Sequence, residues 1–408
     1  MQVGLSHSPV MALATQDEEK ADAIVRRASA GAWPELTLHG NYTRLDEATV
    51  VEFGGQTIEL GAEDTYSASL DFRQVLYDGG TVRAAIRAAR LSRRRAAQRS
   101  GAACSALTRD VRLAFYDLLL AGSVVAVREQ AVDQLEKLAA QTELRFEHRT
   151  VSEFEMLASK VKLANERPRL ARARNDERVA QYGLKNLLGI HEIFEVDGSL
   201  QAAYKHAVRE DTGGAAIDGR PDIRALETLL GMLELDVVAA RGQYKPSLHA
   251  VASYFGGNSY GAMPGGSDIE WHWSAGATLE WPVLDGGYRG AVLREKRLNL
   301  RTAQTQLSAL RMDAEFELDR ARLDMNHARE VLKSATETVA LAEKGLVIAG
   351  ARLKSGAATY LEYSDASLEL SAARIVRLQG MRDYLNAWAR YRYAIGADAG
   401  LPEDEEEE

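Results

Sequence analysis

The chain of 408 residues has room for two or three units at roughly 150 residues each. Its 50 Lys plus Arg against 59 Asp plus Glu leave a net charge of -9, which gives no basic footprint for nucleic acid, and Glu403 to Glu408 read as a solvated, disordered tail. A single cysteine, Cys104, excludes an intrachain disulfide and the usual thiolate zinc sites, and no run approaches the roughly 18 apolar residues of a transmembrane helix.

Only 8 prolines and 7% aromatics, against abundant Ala, Leu, Arg and Glu, favour long helices over a many-stranded sandwich. Residues 1 to 11 lack the charged start, apolar run and small-residue cleavage site of a secretory signal, which taken alone favours the cytosol. The first regular pattern is period two. Leu36, Leu38, Gly40 and Tyr42 alternate with polar neighbours, and so do Tyr66, Ala68, Leu70 and Phe72. These predict strands over 34–45 and 66–76, a hairpin 34–76, with a loop from Asp46 to Asp64.

Gly79-Gly80 then closes a strand-to-helix turn, with Asp78 as a helix cap. From Val82 the apolar positions step by four and three through Ile86, Ala89, Leu107, Val111, Leu118 and Val125 to Val132, Leu135 and Ala139. Arg93, Ser100 and Thr142 interrupt this heptad seam, which predicts a helix over 82–148 of roughly 100 Å at 1.5 Å per residue. A shorter helix follows over 153–188 and stops at Gly189; Pro168 inside it should kink or break it. After a connecting segment, 191–219, the same series returns. Strands are expected at 247–255 and 272–281 (hairpin 246–284) around a loop from Gly256 to Glu270. The turn Gly286-Gly287 follows, capped by Asp285, then helices over 288–355 and 360–395 and an acidic tail, 398–408.

The return is an internal repeat. Leu76-Tyr77-Asp78-Gly79-Gly80 recurs as Val283-Leu284-Asp285-Gly286-Gly287 at an offset of 207 that also maps Arg145 on Arg352 and Gly189 on Gly396. Pro9 and Pro34 map on Pro221 and Pro246 at an offset of 212. The helices therefore keep one length in both halves, and two repeats, 1–190 and 220–397, are expected. Ten-residue strands with one apolar face fit either a membrane β-barrel or an ordinary two-hairpin sheet lying on the helices.

Two repeats of strand, loop, strand, very long helix and shorter helix resemble the TolC family of trimeric outer membrane efflux channels. The resemblance is carried by Ser8-Pro9, Trp33-Pro34-Glu35-Leu36, Val75 to Gly80, Arg220-Pro221-Asp222-Ile223-Arg224-Ala225, Trp281 to Gly287, and Lys354-Ser355-Gly356-Ala357-Ala358-Thr359 with Asp365-Ala366, over about 7 to 396. It implies a mainly α fold with membrane β structure, in which a homotrimer forms a 12-stranded barrel in outer membrane lipid and an α-helical tunnel across the periplasm. It further implies a passive conduit for efflux or type I secretion, served by a periplasmic adaptor and an inner membrane pump, with no cofactor and no catalytic residue. The alternative from another class is a soluble coiled-coil scaffold.

The family's secretory signal and the start of its opening helix have no counterpart before Ser8-Pro9, so that helix reads as truncated. Arg149 stands where the second half has Gly356. The family's basic gating residue is replaced by Ala358 and its assisting tyrosine by Leu353, so the tunnel end is expected to be held by packing and not by ion pairs.

The eight histidines show no metal spacing such as H-E-x-x-H, and no Lys-Ser/Thr follows the paired glycines, as a phosphate loop requires. Cys104 sits beside the seam as a small packing residue; Arg93-Arg94-Arg95 reads as a solvated face or a partner for acidic helices. The carboxylates singled out are Glu153, Glu362 and Asp365, just after the turn between long and short helix. Favourable placement at a helix N-terminus explains them equally well. By the resemblance they ring the periplasmic entrance, where threefold symmetry would make a cation-selective constriction.

Overall fold

The computed structural model describes residues 7–47, 50–54, 56–59, 63–190, 192, 196, 198–210, 217–258 and 269–398. The acidic tail beyond 398 and most of the 256–270 loop lie outside the described residues. The helices are α1 (Pro9–Ala30), α2 (Thr81–Glu147), α3 (Glu153–Leu188), α4 (Leu200–Arg209), α5 (Pro221–Gly242), α6 (Tyr288–Lys354) and α7 (Tyr360–Ala394). The strands are β1 (Glu35–Arg44), β2 (Val50–Phe53), β3 (Gln56–Glu59), β4 (Asp64–Tyr77), β5 (Ser247–Gly257) and β6 (Glu270–Glu280).

The repeat is visible in the lengths. α2 and α6 both have 67 residues, α1 and α5 both have 22, and α3 and α7 have 36 and 35. Each α2 boundary maps on its α6 counterpart at the offset of 207. One expectation is corrected and one is narrowed. The segment 46–64 is not simply a loop, because β2 and β3 pair within it. Nor does Pro168 break its helix: α3 runs unbroken past it. Helix α2 supports it there, since Arg128 pairs with Glu166 one turn-half before the proline.

The chain forms two compact units, each drawing on both repeats: residues 1–16, 98–224 and 308–408, and residues 17–97 and 225–307. In the first, the heptad positions are the core. Leu107, Val111, Leu118, Val125, Val132, Leu135 and Ala139 of α2 and Leu318, Ala321, Ala328, Leu332 and Val339 of α6 are buried. Small seam residues let backbones approach, and buried Thr142 satisfies its hydroxyl by donating to the Leu138 carbonyl at 2.7 Å. The short amphipathic helix α4 lays Leu200 and Ala207 on Tyr384, Leu385, Trp388 and Ala389 of α7. Leu385 is 0% exposed, worth about 1.5–3 kcal/mol for its burial.

The helix ends follow one rule. Ser152 and Thr359 cap α3 and α7 by accepting from the Glu155 and Glu362 N–H groups, both at 3.2 Å. Behind α3 the Ile190 N–H returns to the Lys185 carbonyl; behind α7 the Ala397 N–H returns to Arg392. These are Schellman closures, as the glycines at 189 and 396 predict. In the second unit, β1, β4, β5 and β6 form one antiparallel sheet in that order. The 34–45, 66–76, 247–255 and 272–281 strands are therefore present, each within two or three residues of expectation.

Candidate functional site

Register decides what the sheet offers. Leu36 faces Phe72, Leu38 faces Leu70 and Tyr42 faces Tyr66; Leu70 faces Tyr254, which faces Trp273, and Leu248 faces Leu279. Opposed residues share a face, so one side of the sheet is continuously apolar, and it is exposed at Leu36, Leu38, Trp273 and Leu279. Aromatic rings mark one end: Tyr42 packs on Tyr66 and Trp271 stacks on Tyr254, both with centroids 5.1 Å apart. At the other end stand exposed Trp33 and Trp281, ten positions after Trp271. The opposite face is mostly polar, with Val251 and Phe255 among its apolar members. There Asp71 accepts from Ser253 at 2.6 Å and Ser69 at 2.7 Å, with His39 Nε2 at 3.8 Å.

The sheet passes into the long helices through the paired glycines. Gly79, Gly80, Gly286 and Gly287 have φ of 72°, 94°, 63° and 89°, the left-handed region. Gly79 is also crowded, since a Cβ there would lie 2.4 Å from the Gly242 carbonyl oxygen. Asp78 and Asp285 cap the helices: Val82 N–H donates to Asp78 at 2.5 Å and Arg289 N–H to Asp285 at 3.0 Å. Asp285 also accepts from Arg289 Nε at 2.5 Å, and this bond, with the Arg289 and Gly287 backbone donors, holds its carboxyl below the usual range.

At the far end of the helices, Glu153 opens α3 and Glu362 and Asp365 lie in the first turns of α7. Lys162 of α3 brings the two helices together. Its Nζ donates to Asp365 Oδ1 at 2.5 Å, Ser364 Oγ at 2.8 Å and the Leu361 carbonyl at 3.2 Å, and its side chain is only 18% exposed. Glu362 lies 3.9 Å from Arg352 across the turn, and Arg145 of α2 covers the Tyr360 ring at 5.0 Å. Within one chain, then, an ion pair joins α3 and α7 beside this turn, supplied by Lys162 and not by the positions of Ala358 and Leu353. Arg149, the one non-glycine at positive φ among the described residues (58°), makes the same closure as Gly356, with the Thr150 N–H bonded to the Arg145 carbonyl at 2.9 Å.

Three charged features had weaker sequence signals. Glu143–Lys160 (2.5 Å), Glu136–Arg167 (2.9 Å) and Glu129–Arg174 (2.7 Å) lace α2 to α3 at heptad intervals; in the second half only the middle rung remains, Glu343–Arg374 at 3.2 Å. Glu166, 1% exposed, is held by Arg128 at 2.5 Å and Arg169 at 3.1 Å. Arg220, 4% exposed, grips Asp222 through two bonds and Glu317 at 2.7 Å, while its guanidinium and that of Arg109 lie over the Tyr393 ring. Burial alone would lower the Arg220 pKa, but its two carboxylate partners outweigh that and raise it, so it stays charged. The invariant heptad spacing was the readable sign of the ladder; nothing local marks Lys162.

No helix among the described residues is long and apolar enough to cross a membrane. The described residues thus give a four-stranded sheet with one apolar face, and long and shorter helices in two repeats. The outer membrane efflux protein family model matches residues 1–190 and 213–397, and the chain belongs to that family, whose members are channels and not enzymes. The chain is similar to nodulation protein T of Rhizobium leguminosarum bv. trifolii, with 21% identity over 406 residues, 97% of this chain and 84% of that protein. Its fold is similar to that of CusC at a TM-score of 0.82 and 18% identity, covering 97% of this chain and 90% of the other. The CmeC outer membrane channel of Campylobacter jejuni gives 0.81 and 16%, over 99% and 85%.

Proposed function

We propose that this chain is one subunit of a homotrimeric outer membrane channel that passively conducts substrates handed over by an inner membrane pump and a periplasmic adaptor. The observation that carries this reading is the sheet: among the described residues its apolar face is uncovered, and both edge strands lack a partner on one side. In lipid an open edge leaves backbone groups unsatisfied at several kcal/mol each, so four strands must close with those of other copies. Three copies give the 12 strands of the family's barrel. Strands of 10 and 11 residues are long enough to span a bilayer at about 45° tilt, and aromatic ends suit its two interfaces.

The repeats 1–190 and 220–397, joined by 191–219, then supply alternating helix pairs to a tunnel wall in the periplasm. Glu153, Glu362 and Asp365 ring its narrow end and favour cations. A soluble scaffold has no use for the uncovered apolar face. The test is to purify the protein in detergent, weigh the protein part of the particle by light scattering, and insert it in planar bilayers. Trimers with discrete conductance steps are expected; monomers stable without detergent and no conductance would end the channel reading.

A further inference from the structure

Within one chain the two repeats meet along a single seam of the sheet, β4 against β5, with Ser69 opposite Phe255, Asp71 opposite Ser253 and Arg73 opposite Val251. Among the described residues the outer strands β1 and β6 each keep a free edge. Both are exposed almost throughout, and neither contains a proline, a lysine or a bulge, the devices that blunt a free edge.

The internal repeat fixes how such edges fit. β6 stands 207 residues after β4, and β5 stands 212 after β1. These offsets reproduce the hairpin registers: Glu35 opposite Arg73 in the first becomes Ser247 opposite Glu280 in the second, as observed. Carried to the β4–β5 seam, they set Gly276 opposite Thr43, Thr278 opposite Asn41 and Glu280 opposite His39 of a second copy. We propose that β6 of one copy pairs antiparallel with β1 of the next in this register, so that Glu280 joins the His39–Asp71 pair of its neighbour to complete a site between subunits. The inference rests on the channel reading above and adds to it a register and a shared carboxylate–imidazole–carboxylate cluster.

Three observations agree with it. First, the register keeps the faces: Ala277 meets Tyr42 and Leu279 meets Gly40 on the apolar side, whereas a one-residue slip sets apolar against polar along the whole seam. Second, residues 281–284 are not part of β6, and Leu284 is 91% exposed, although their counterparts at 74–77 belong to β4, where β5 pairs with them. The proposed register gives 281–284 a partner in 36–38. Pro282, which has no N–H, then falls where the β4–β5 pairing is already irregular, beside the shift between Val75 and Tyr77. Third, the polar side of the seam is open. The His39 side chain is 68% exposed with Asp71 3.8 Å away, while Asp71 is held in turn by Ser69 and Ser253.

The test uses the full chain in detergent with Cys104→Ala as background. Asn41→Cys combined with Thr278→Cys is expected to give covalent dimers and trimers on mild oxidation, reversed by dithiothreitol. The slipped pairs Asn41→Cys with Gly276→Cys, and Thr43→Cys with Thr278→Cys, are expected to stay monomeric on denaturing gels. Cross-linking through a slipped pair, or none in a particle that scatters as a trimer, overturns the register and leaves the channel reading standing; a monomeric particle overturns both. For the cluster, Glu280→Gln should lower the temperature at which the trimer dissociates in sodium dodecyl sulfate, and this loss should shrink when His39→Asn is already present. Strictly additive losses would show that Glu280 and His39 do not meet.

Discussion

The Lys162 ammonium of α3 sits 2.5 Å from the Asp365 carboxylate of α7, with the Ser364 hydroxyl and the Leu361 carbonyl filling its remaining donor directions. A carboxylate so engaged contributes little net field. Glu362, 3.9 Å from an exposed arginine, keeps more of its own. We therefore expect Glu362→Gln to lower cation preference in planar bilayers more than Asp365→Asn does, and Lys162→Met to raise it by freeing Asp365. Equal effects of the two carboxylate changes, or an unaltered reversal potential in Lys162→Met, would exclude this ordering.

The buried Glu166 gives a second prediction. Its repeat counterpart is Ala373, and that of Arg128 is Ala335, both buried. Glu166→Ala leaves the Arg128 charge, itself largely covered, without its partner, which costs roughly 3 kcal/mol at the low end for broken buried pairs. Arg128→Ala together with Glu166→Ala copies the second half and should recover most of that loss. Denaturant midpoints of the single and double variants decide the matter; simple additivity would mean that the pair is not coupled.

Arg149 sits at φ 58° where the second half has glycine. A non-glycine residue there costs about 1–2 kcal/mol, against about 0.5–1 kcal/mol for the extra chain entropy of glycine. Arg149→Gly is accordingly expected to stabilise the turn by up to about 1 kcal/mol, read as a rise in denaturant midpoint; a fall would show that the arginine side chain does more than fill the position.

Gly79 and Gly286 share a backbone conformation and differ in crowding. Alanine at 286 meets nothing within 4 Å and carries only the left-handed strain, about 1–2 kcal/mol, whereas alanine at 79 also collides with the Gly242 carbonyl. Gly79→Ala should be the more damaging by a clear margin, measured by yield of folded protein and thermal midpoint. Comparable losses would place the constraint in φ alone.

The Asp285 carboxyl is depressed by Arg289 and two backbone donors. Such a group contributes stability above its unfolded pKa, about 3.9, and the contribution is lost as pH falls through the lower folded value. Titrating denaturant midpoints from pH 7 downward, the wild type should fall more steeply than Asp285→Asn below about pH 4, the variant starting lower at neutral pH. Parallel curves would remove Asp285 from the acid response.

Periodicity carried most of the fold into view. The alternation at Leu36, Leu38 and Tyr42, the heptads from Val82, and the constant offset of 207 are local or one-dimensional signals, and each corresponds to an observed element. What escaped is what requires two distant segments at once. Lys162 meets Asp365 across 203 residues, and nothing beside Lys162 announces that it will be covered. β2 and β3 are short and lie in a stretch read for its turn residues. At Pro168 the helix does not break, and the Arg128–Glu166 contact beside it is again a pairing of two distant segments. Of the chosen carboxylates, the positions at the helix starts were legible; their partners were not.

The rungs between α2 and α3 repeat every seven residues on both helices. A slide by one heptad, about 10 Å, re-forms two of the three, while any smaller slide unmatches all of them together. At roughly 0.5 kcal/mol each the rungs are weak locks singly. In concert they act as a vernier that allows this pair only discrete settings. The pair α6 and α7, with its single rung at Glu343 and Arg374, has no such charge detent and relies for its register on the packing of Val339 with Leu370 and Ala373.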